Sequence, residues 1–279
     1  MSDPDSFSWP FNGDAYQRRI WKFNSIVVQS VVWSAAKLWT SRPLNGKILY
    51  HADRLTSLLD ERCEERKKKG YNKRPLITIS NHRCCADDPL IWGVLLRWRH
   101  ILYGQMRWIP AAAELTFTNP AYSFVFGHGQ CVPVVRGRGV YQKGIDFCVD
   151  RLNEGQWVHV FPEGKVNIDD TRRLKWGIGR MIADCEVVPD VIPIWFTGMD
   201  RILPNKSPYR PRIGQTVIAF VGEPIKMEQL VVEWKKETSD SVHLRKKITD
   251  YLEVEFWQLK ERATSHQQKL LGISRNTGG

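Results

Sequence analysis

The fold is decided by the stretch Pro75-Leu-Ile-Thr-Ile-Ser-Asn-His-Arg-Cys-Cys-Ala-Asp-Asp-Pro89. Its first half, residues 76–80, is short, apolar and β-branched, which is typical of a buried strand. Asp88-Pro89 predicts the start of a helix, because aspartate caps helices and proline is tolerated in their first turn. A strand-to-helix turn brings His82 and Asp87 together, whereas a continuous helix would splay them apart. A histidine held by a carboxylate is a candidate general base, although the pair is also compatible with a core histidine beside a capping aspartate.

Further short apolar stretches alternate with helical patterns along the chain. Strands are predicted at residues 130–135, 156–161, 191–195 and 216–222, with a helix at 141–152 and a long amphipathic helix at 244–271. This alternation predicts an α/β domain with helices flanking a sheet. No internal repeat or low-complexity linker interrupts it.

Polar residues follow three of the predicted strands. Sites in open α/β sheets gather outside the carboxyl ends of strands, so these residues are candidates for substrate binding. Arg136 is suited to a phosphate, Lys165 offers a second charge, Glu163 can accept hydrogen bonds from hydroxyls, and Gly164 allows close approach. The predicted substrate-binding residues are therefore Asn81, Arg136, Glu163, Gly164 and Lys165.

Composition favours an anionic, lipid-like partner. The 279 residues carry a net charge of +11 and twelve tryptophans, a combination suited to a membrane surface. No zinc-finger spacing or RNA-binding signature appears, so nucleic acid is not predicted as a partner. The six cysteines show no metal-ligand spacing, and no metal is predicted. Reduced, packed thiols are the preferred interpretation, with Cys84-Cys85 as alternative nucleophiles.

An N-terminal helix at about residues 20–39 is predicted to bind the membrane. Its uncharged part, residues 23–36, is shorter than the roughly 20 residues needed to cross a bilayer, so we expect it to lie in one leaflet. The alternative is an ordinary amphipathic helix packed on the domain. The predicted membrane-binding residues are Trp21, Val27, Val28, Val31, Val32, Trp33, Leu38 and Trp39.

Two other segments have features suited to lipid binding. The basic stretch at residues 67–74 is a candidate for anionic headgroups. Residues 104–126 suit either a second lipid-dipping element or the wall of an acyl groove. We predict an N-terminal segment, 1–47, that carries the membrane helix, followed by a catalytic domain at 48–279. The first 17 residues contain three aspartates and no basic residue, which excludes a secretory signal or an Arg-rich transit peptide.

The same residues resemble the motifs of the glycerolipid acyltransferases. Asn81-His-Arg-Cys-Cys-Ala-Asp87 resembles their first motif, Arg136 the arginine of their second, Phe161-Pro-Glu-Gly164 their third and Val191-Ile-Pro-Ile194 their fourth. Val134-Val-Arg-Gly-Arg138 lacks the usual aromatic and acidic neighbours of that arginine. Longer blocks from about residue 8 to the C-terminal helix resemble one subfamily, the phospholipid–lysophospholipid transacylases. These blocks include Met106-Arg-Trp108, Pro110-Ala-Ala-Ala113, Trp157-Val-His-Val-Phe-Pro-Glu-Gly-Lys-Val-Asn167 and Lys175-Trp-Gly-Ile-Gly-Arg180.

The resemblance implies an acyltransferase-type mixed sheet and a catalytic His82 oriented by Asp87. It implies cardiolipin remodelling, in which acyl chains pass from phosphatidylcholine to monolysocardiolipin without coenzyme A or any other cofactor. It also implies attachment, without spanning, to mitochondrial membranes facing the intermembrane space. The alternatives are a coenzyme A-dependent lysophospholipid acyltransferase and a non-catalytic membrane-binding module of the same fold. The sequence leaves open the acyl-chain preference and whether the chain forms homo-oligomers.

Overall fold

The structure is a computed structural model that describes residues 15–102, 106–167, 173–207 and 209–270. The acidic N-terminal residues, the start of the subfamily resemblance at residue 8, residues 104–105 of the aromatic segment and residue 271 of the last helix lie outside these ranges. The seven strands are β1 Gly46–Tyr50, β2 Leu76–Ser80, β3 Arg107–Ala112, β4 Cys131–Val134, β5 Trp157–Val160, β6 Asp190–Thr197 and β7 Thr216–Val221. The helices are α1 Ala15–Trp39, α2 Asp53–Lys69, α3 Asp87–Leu95, α4 Trp98–Leu102, α5 Ala113–Thr116, α6 Pro120–His128, α7 Lys143–Asn153, α8 Gly177–Ala183, α9 Met199–Ile202, α10 Glu228–Glu237 and α11 Ser241–Leu270.

All seven strands form one mixed sheet in the order β1-β7-β6-β2-β5-β3-β4. Every neighbouring pair is parallel except β6 and β7, which are antiparallel. The carboxyl ends of β2, β3, β4, β5 and β6 therefore lie at one edge of the sheet, together with the amino ends of β1 and β7. We call this edge the catalytic rim, and it confirms the predicted mixed α/β fold.

Helices cover both faces of the sheet. The alternating side chains of β2 and β5 send Ile77, Ile79 and Val158 into a core with the helices of the second half of the chain. On the other face, Leu76 and Trp157 pack with α1, α2 and α3. The strands predicted from apolar runs are present. The sequence patterns did not reveal β1, whose burial alternates, or β3, which contains arginine and proline.

Helix α1 packs tightly on the domain through two of the tryptophans predicted to bind the membrane. Trp21 and Trp33 are only 7% and 3% exposed, which corrects their predicted membrane contact. Trp21 stacks on Trp108 with ring centroids 5.5 Å apart, and Trp33 lies under the Arg107 guanidinium at 5.7 Å. Stacked aromatic pairs of this kind contribute stability beyond the area that they bury. A Cβ on Gly93 of α3 would lie 2.8 Å from that of Ala36, so the two helices cross in close contact.

The opposite stripe of α1 faces outward and is apolar. Val27, Val31 and Leu38 are exposed, in line with Ile20 and Phe23, while Val28, Val32 and Trp39 are half-buried at its margins. On the inner side of α1, Ser25 and Gln29 donate hydrogen bonds to the main-chain carbonyl of His128. Among the described helices none is long and apolar enough to cross a membrane. The predicted division at residue 47 falls inside β1.

Candidate active site

His82 and Asp87 lie at the catalytic rim, where β2 ends and α3 begins. His82 Nδ1 is 2.9 Å from Asp87 Oδ2. The same oxygen accepts the main-chain N–H groups of Arg83 at 2.5 Å and Cys84 at 2.9 Å. Asp87 is buried, whereas the His82 side chain keeps 19% of its surface exposed. With Nδ1 donating to the carboxylate, the neutral ring carries its lone pair on Nε2, which suits a general base.

The His82 ring rests on an aromatic support that the sequence analysis missed. It stacks on Phe161 with centroids 4.1 Å apart, and Phe161 meets His159 edge-on at 4.8 Å. His159 is fully buried, with its two ring nitrogens 2.8 Å from Thr78 Oγ1 and 3.2 Å from Ser80 Oγ. Burial lowers the pKa of His159 to about 3, so its ring is neutral. The sequence signal for this support was the presence of polar residues within otherwise apolar strands, Thr78 and Ser80 on β2 and His159 on β5.

Glu163 holds the main chain of His82. Its Oε1 accepts the His82 N–H at 2.8 Å, and its other oxygen accepts the side-chain amide of Asn167. The Asn167 N–H in turn donates to the His82 carbonyl at 2.7 Å. Burial raises the pKa of Glu163, against the effect of these hydrogen bonds. Since both carboxylate oxygens are engaged within the protein, the structure gives Glu163 a positioning role in place of the predicted substrate contact.

Asn81 is also turned inward. It is 1% exposed, and its amide exchanges two hydrogen bonds with the main chain of Phe196, at 2.8 and 2.7 Å. These bonds tie the end of β2 to β6. The predicted contact between Asn81 and substrate is therefore wrong, because a neighbouring strand satisfies both ends of the amide.

The three remaining predicted residues lie at the ends of β4 and β5. Gly164 adopts a φ of +71°, and a Cβ there would lie 2.8 Å from Lys175 Cγ, so the turn is packed against a lysine stem. Lys165 is exposed. Arg136 is exposed and lies 3.4 Å from Glu114 in a surface ion pair. The parallel strands thus place Arg136 and Lys165 at the same rim as His82, with solvent access.

The two adjacent cysteines differ sharply in environment. Cys84 is buried, and burial together with the charge of Asp87 raises the pKa of its thiol. Cys85 is exposed. A thiol must ionise to act as a nucleophile, so Cys84 is poorly suited to carry an acyl group.

Asp88 has a role that its expected capping function did not suggest. Its carboxylate receives the buried Arg107 guanidinium and, at 2.8 Å, the indole N–H of Trp92. Arg107 also donates to the Gly129 carbonyl at 2.7 Å. This partly buried ion pair ties α3, and with it Asp87, to β3 and the start of β4.

Comparison with known proteins identifies the family. A family model described as acyltransferase matches residues 61–197. A tafazzin from Drosophila melanogaster is 37% identical over 268 residues, which cover 95% of this chain and 68% of that protein. A tafazzin from Dictyostelium discoideum is 39% identical over 203 residues, covering 71% and 69% of the two chains. The chain belongs to the tafazzin family of acyltransferases. Its membership confirms the predicted family, the enzyme class and a phospholipid acyltransferase activity.

This tafazzin-family chain is also similar to a further curated protein and to a solved structure. An N-acylphosphatidylethanolamine synthase from Arabidopsis thaliana is 37% identical over 191 residues, 66% of this chain and 64% of its own. The crystal structure of a 1-acyl-sn-glycerophosphate acyltransferase from Thermotoga maritima superposes with a TM-score of 0.51 and 17% identity. That match covers 90% of this chain and 85% of the other. At that identity the likeness shows a common fold.

Proposed function

We propose that this protein is a coenzyme A-independent phospholipid–lysophospholipid transacylase that remodels cardiolipin. In this reaction an acyl chain passes from phosphatidylcholine to monolysocardiolipin. The observation that carries the proposal is the His82–Asp87 pair, held in catalytic geometry in a chain of the tafazzin family.

The chemistry follows from the free Nε2 of His82. This nitrogen removes the proton from the lysolipid hydroxyl, and the hydroxyl oxygen attacks the ester carbonyl of the donor phospholipid. Asp87 stabilises the imidazolium that forms. Collapse of the tetrahedral intermediate breaks the donor ester bond, and the departing alkoxide takes the proton back from His82. One ester is broken and an equivalent ester is formed, so the reaction is close to thermoneutral and reversible.

Direct transfer between lipids accounts for the site better than a thiol ester on Cys84 does. Cys84 lies in the same loop as the catalytic pair, yet its buried thiol resists ionisation. Arg136 and Lys165 remain candidates for the phosphate groups of the two lipids, because both are exposed cations at the rim.

We further propose attachment to mitochondrial membranes on the side of the intermembrane space. The exposed apolar stripe of α1 supports attachment to a lipid surface, since its isoleucine, phenylalanine, valine and leucine side chains gain by leaving water. Membership of the tafazzin family supports the organelle.

The decisive experiment mixes purified protein with bilayers of acyl-labelled phosphatidylcholine and monolysocardiolipin, without coenzyme A. We expect label in cardiolipin with the wild type and a loss of about 10²- to 10⁴-fold with His82→Ala. His243→Ala, at an exposed position on α11, is the matched control and keeps full activity. Full activity of His82→Ala would overturn the proposed mechanism.

Parallel reactions separate the alternatives. Labelled acyl-coenzyme A as the sole donor tests the conventional acyltransferase, and transfer from that donor alone would refute the donor assignment. Phosphatidylethanolamine as the acceptor tests N-acylation, an alternative reaction that the similarity to N-acylphosphatidylethanolamine synthase raises. Binding without any transfer would favour the non-catalytic membrane module.

A further inference from the structure

The connection between β6 and β7 carries an unusual concentration of exposed positive charge at the catalytic rim. We call residues 203–207 and 209–214 the rim loop. Lys206, Arg210 and Arg212 are all exposed in it, and Tyr209 and Ile213 are 61% and 62% exposed. No acidic residue in the described part of the chain forms an ion pair with any of the three cations. The rim loop also lies beyond residue 197, where the match to the acyltransferase family model ends.

One end of the rim loop is fastened to the catalytic motif. The Asn205 side-chain carbonyl accepts the N–H of Cys85 at 3.2 Å, and its amide donates to the carbonyl of Arg83. These two bonds join the loop to the turn that carries His82 and Asp87. Lys206 directly follows Asn205, so the main chain of this first cation lies beside that turn.

The other end of the rim loop is fastened to the end of α1. The Asn45 amide donates to the carbonyls of Trp39 at 2.8 Å and Arg212 at 3.2 Å. The N–H of Gly214 donates to the Leu44 carbonyl at 2.7 Å. The loop thus runs from the catalytic turn to the C-terminal end of the helix whose apolar stripe faces outward.

We infer that the rim loop binds anionic phospholipid headgroups at the bilayer surface and holds the catalytic rim against them. The inference rests on the proposed function. The three cations have no ion-pair partner among the described residues and are suited to phosphate, while the exposed tyrosine and isoleucine between and beside them suit the headgroup–acyl boundary. The basic stretch at residues 67–74 is less suited to this role, because it precedes β2 and so lies at the opposite edge of the sheet.

The test compares two triple variants that remove the same charge. Lys206→Gln, Arg210→Gln and Arg212→Gln together neutralise the rim loop. Lys68→Gln, Lys73→Gln and Lys226→Gln together form the control, with Lys68 and Lys73 before β2 and Lys226 beside the Ile225–Val191 bridge at the start of β6. Both variants keep the hydrogen bonds of Asn205 and Asn45. A charge-conserving rim variant, with Lys206→Arg, Arg210→Lys and Arg212→Lys, completes the set.

Binding is measured by sedimentation with vesicles of phosphatidylcholine in which about one lipid in five is phosphatidylglycerol. Each charge near an anionic surface is worth about fivefold in partitioning, so we expect the rim variant to bind about a hundredfold more weakly. The opposite-edge control and the charge-conserving variant should stay within a few-fold of wild type. Equal losses in the rim variant and the opposite-edge control would overturn the inference, because net charge alone would then explain binding.

A second measurement separates docking from chemistry. With enough vesicles to bind all of the rim variant, acyl transfer should return to the wild-type rate, since the His82–Asp87 pair is untouched. Transfer that stays low for fully bound protein would refute a docking role. Sedimentation needs no turnover, so the rim loop is tested even if the wild type proves not to transfer acyl groups.

Discussion

The turn that carries His82 and Asp87 shows which contacts between residues can be predicted from a sequence. The spacing of His82 and Asp87, between a strand and a helix, predicted their contact, because both elements were recognisable. The partners of Asn81 and Glu163 were not predictable, since they include main-chain groups of Phe196 and of His82 itself. Polar side chains at strand ends suggest a site, but only the fold determines whether they face substrate or backbone.

The first prediction for a single residue concerns Glu163. Glu163→Gln presents an amide to the Asn167 amide and loses one hydrogen bond to a charged group, so we expect kcat to fall about ten- to a hundredfold. Adding Asn167→Asp restores a donor–acceptor pair and should recover part of the activity. Measurements of kcat for the two single variants and the double variant form a double-mutant cycle. A double variant with the product of the two single losses would argue against coupling through this bond.

His159 provides the second, in the form of a pH dependence of stability. Its pKa is lowered to about 3 in the folded protein, whereas an unfolded histidine titrates near 6.5. The unfolded chain therefore takes up the proton first, and stability falls by about 1.4 kcal/mol per pH unit between those values. His159→Gln should lose about 2 kcal/mol less than wild type between pH 7 and pH 5 in urea unfolding. Equal losses would mean that His159 is not held neutral by burial.

At the scale of the elements, α1 shows how a correct pattern can receive a wrong assignment. The periodicity predicted an amphipathic helix, and Val27, Val31 and Leu38 do face outward. The tryptophans were assigned to the same membrane face, yet Trp21 and Trp33 lie inside, where Trp108 and Arg107 cover them. Composition favours a membrane interface for tryptophan. The contacts of a helix with its own domain, however, depend on residues far away in the sequence, and no local pattern predicts them.

The two sides of α1 should respond differently to substitution. Phe23→Ser with Val31→Ser removes exposed apolar surface. We therefore expect binding to phosphatidylcholine vesicles to weaken by about tenfold or more, with an unchanged melting temperature. Trp33→Ala empties a buried site and should cost about 3–5 kcal/mol of unfolding free energy. Vesicle sedimentation and thermal unfolding of both variants measure this difference. Strong destabilisation by the outer pair would place that stripe in contact with protein instead.

The sheet as a whole was only partly accessible from sequence. Apolar runs located five strands, including β2 and β6, because their residues are buried on both faces. The short strand β1 and the proline-containing β3 lack such runs. The antiparallel pairing of β6 with β7 brings the rim loop and the end of α1 to the catalytic rim. This pairing depends on contacts between residues far apart in the sequence, so local patterns did not predict it.

For the whole molecule, a net charge of +11 predicts a salt-sensitive component of membrane binding. Raising ionic strength to about 1 M shortens the Debye length to about 3 Å, which screens the rim loop from anionic lipids. We therefore expect high salt to remove the preference for anionic vesicles while binding to pure phosphatidylcholine persists through α1. Salt-independent binding to anionic vesicles would show that burial of apolar surface dominates throughout.

The single antiparallel pair in the sheet also determines how the reaction scales. It brings the end of α1, the rim loop and His82 to one edge, so lipids meet the catalytic pair while they remain in the surface to which the protein is attached. Under the proposed function, the rate then follows the number of acceptor molecules per unit area and not their bulk concentration. Diluting a fixed amount of lysolipid with inert phospholipid slows turnover, although nothing in the test tube has become scarcer.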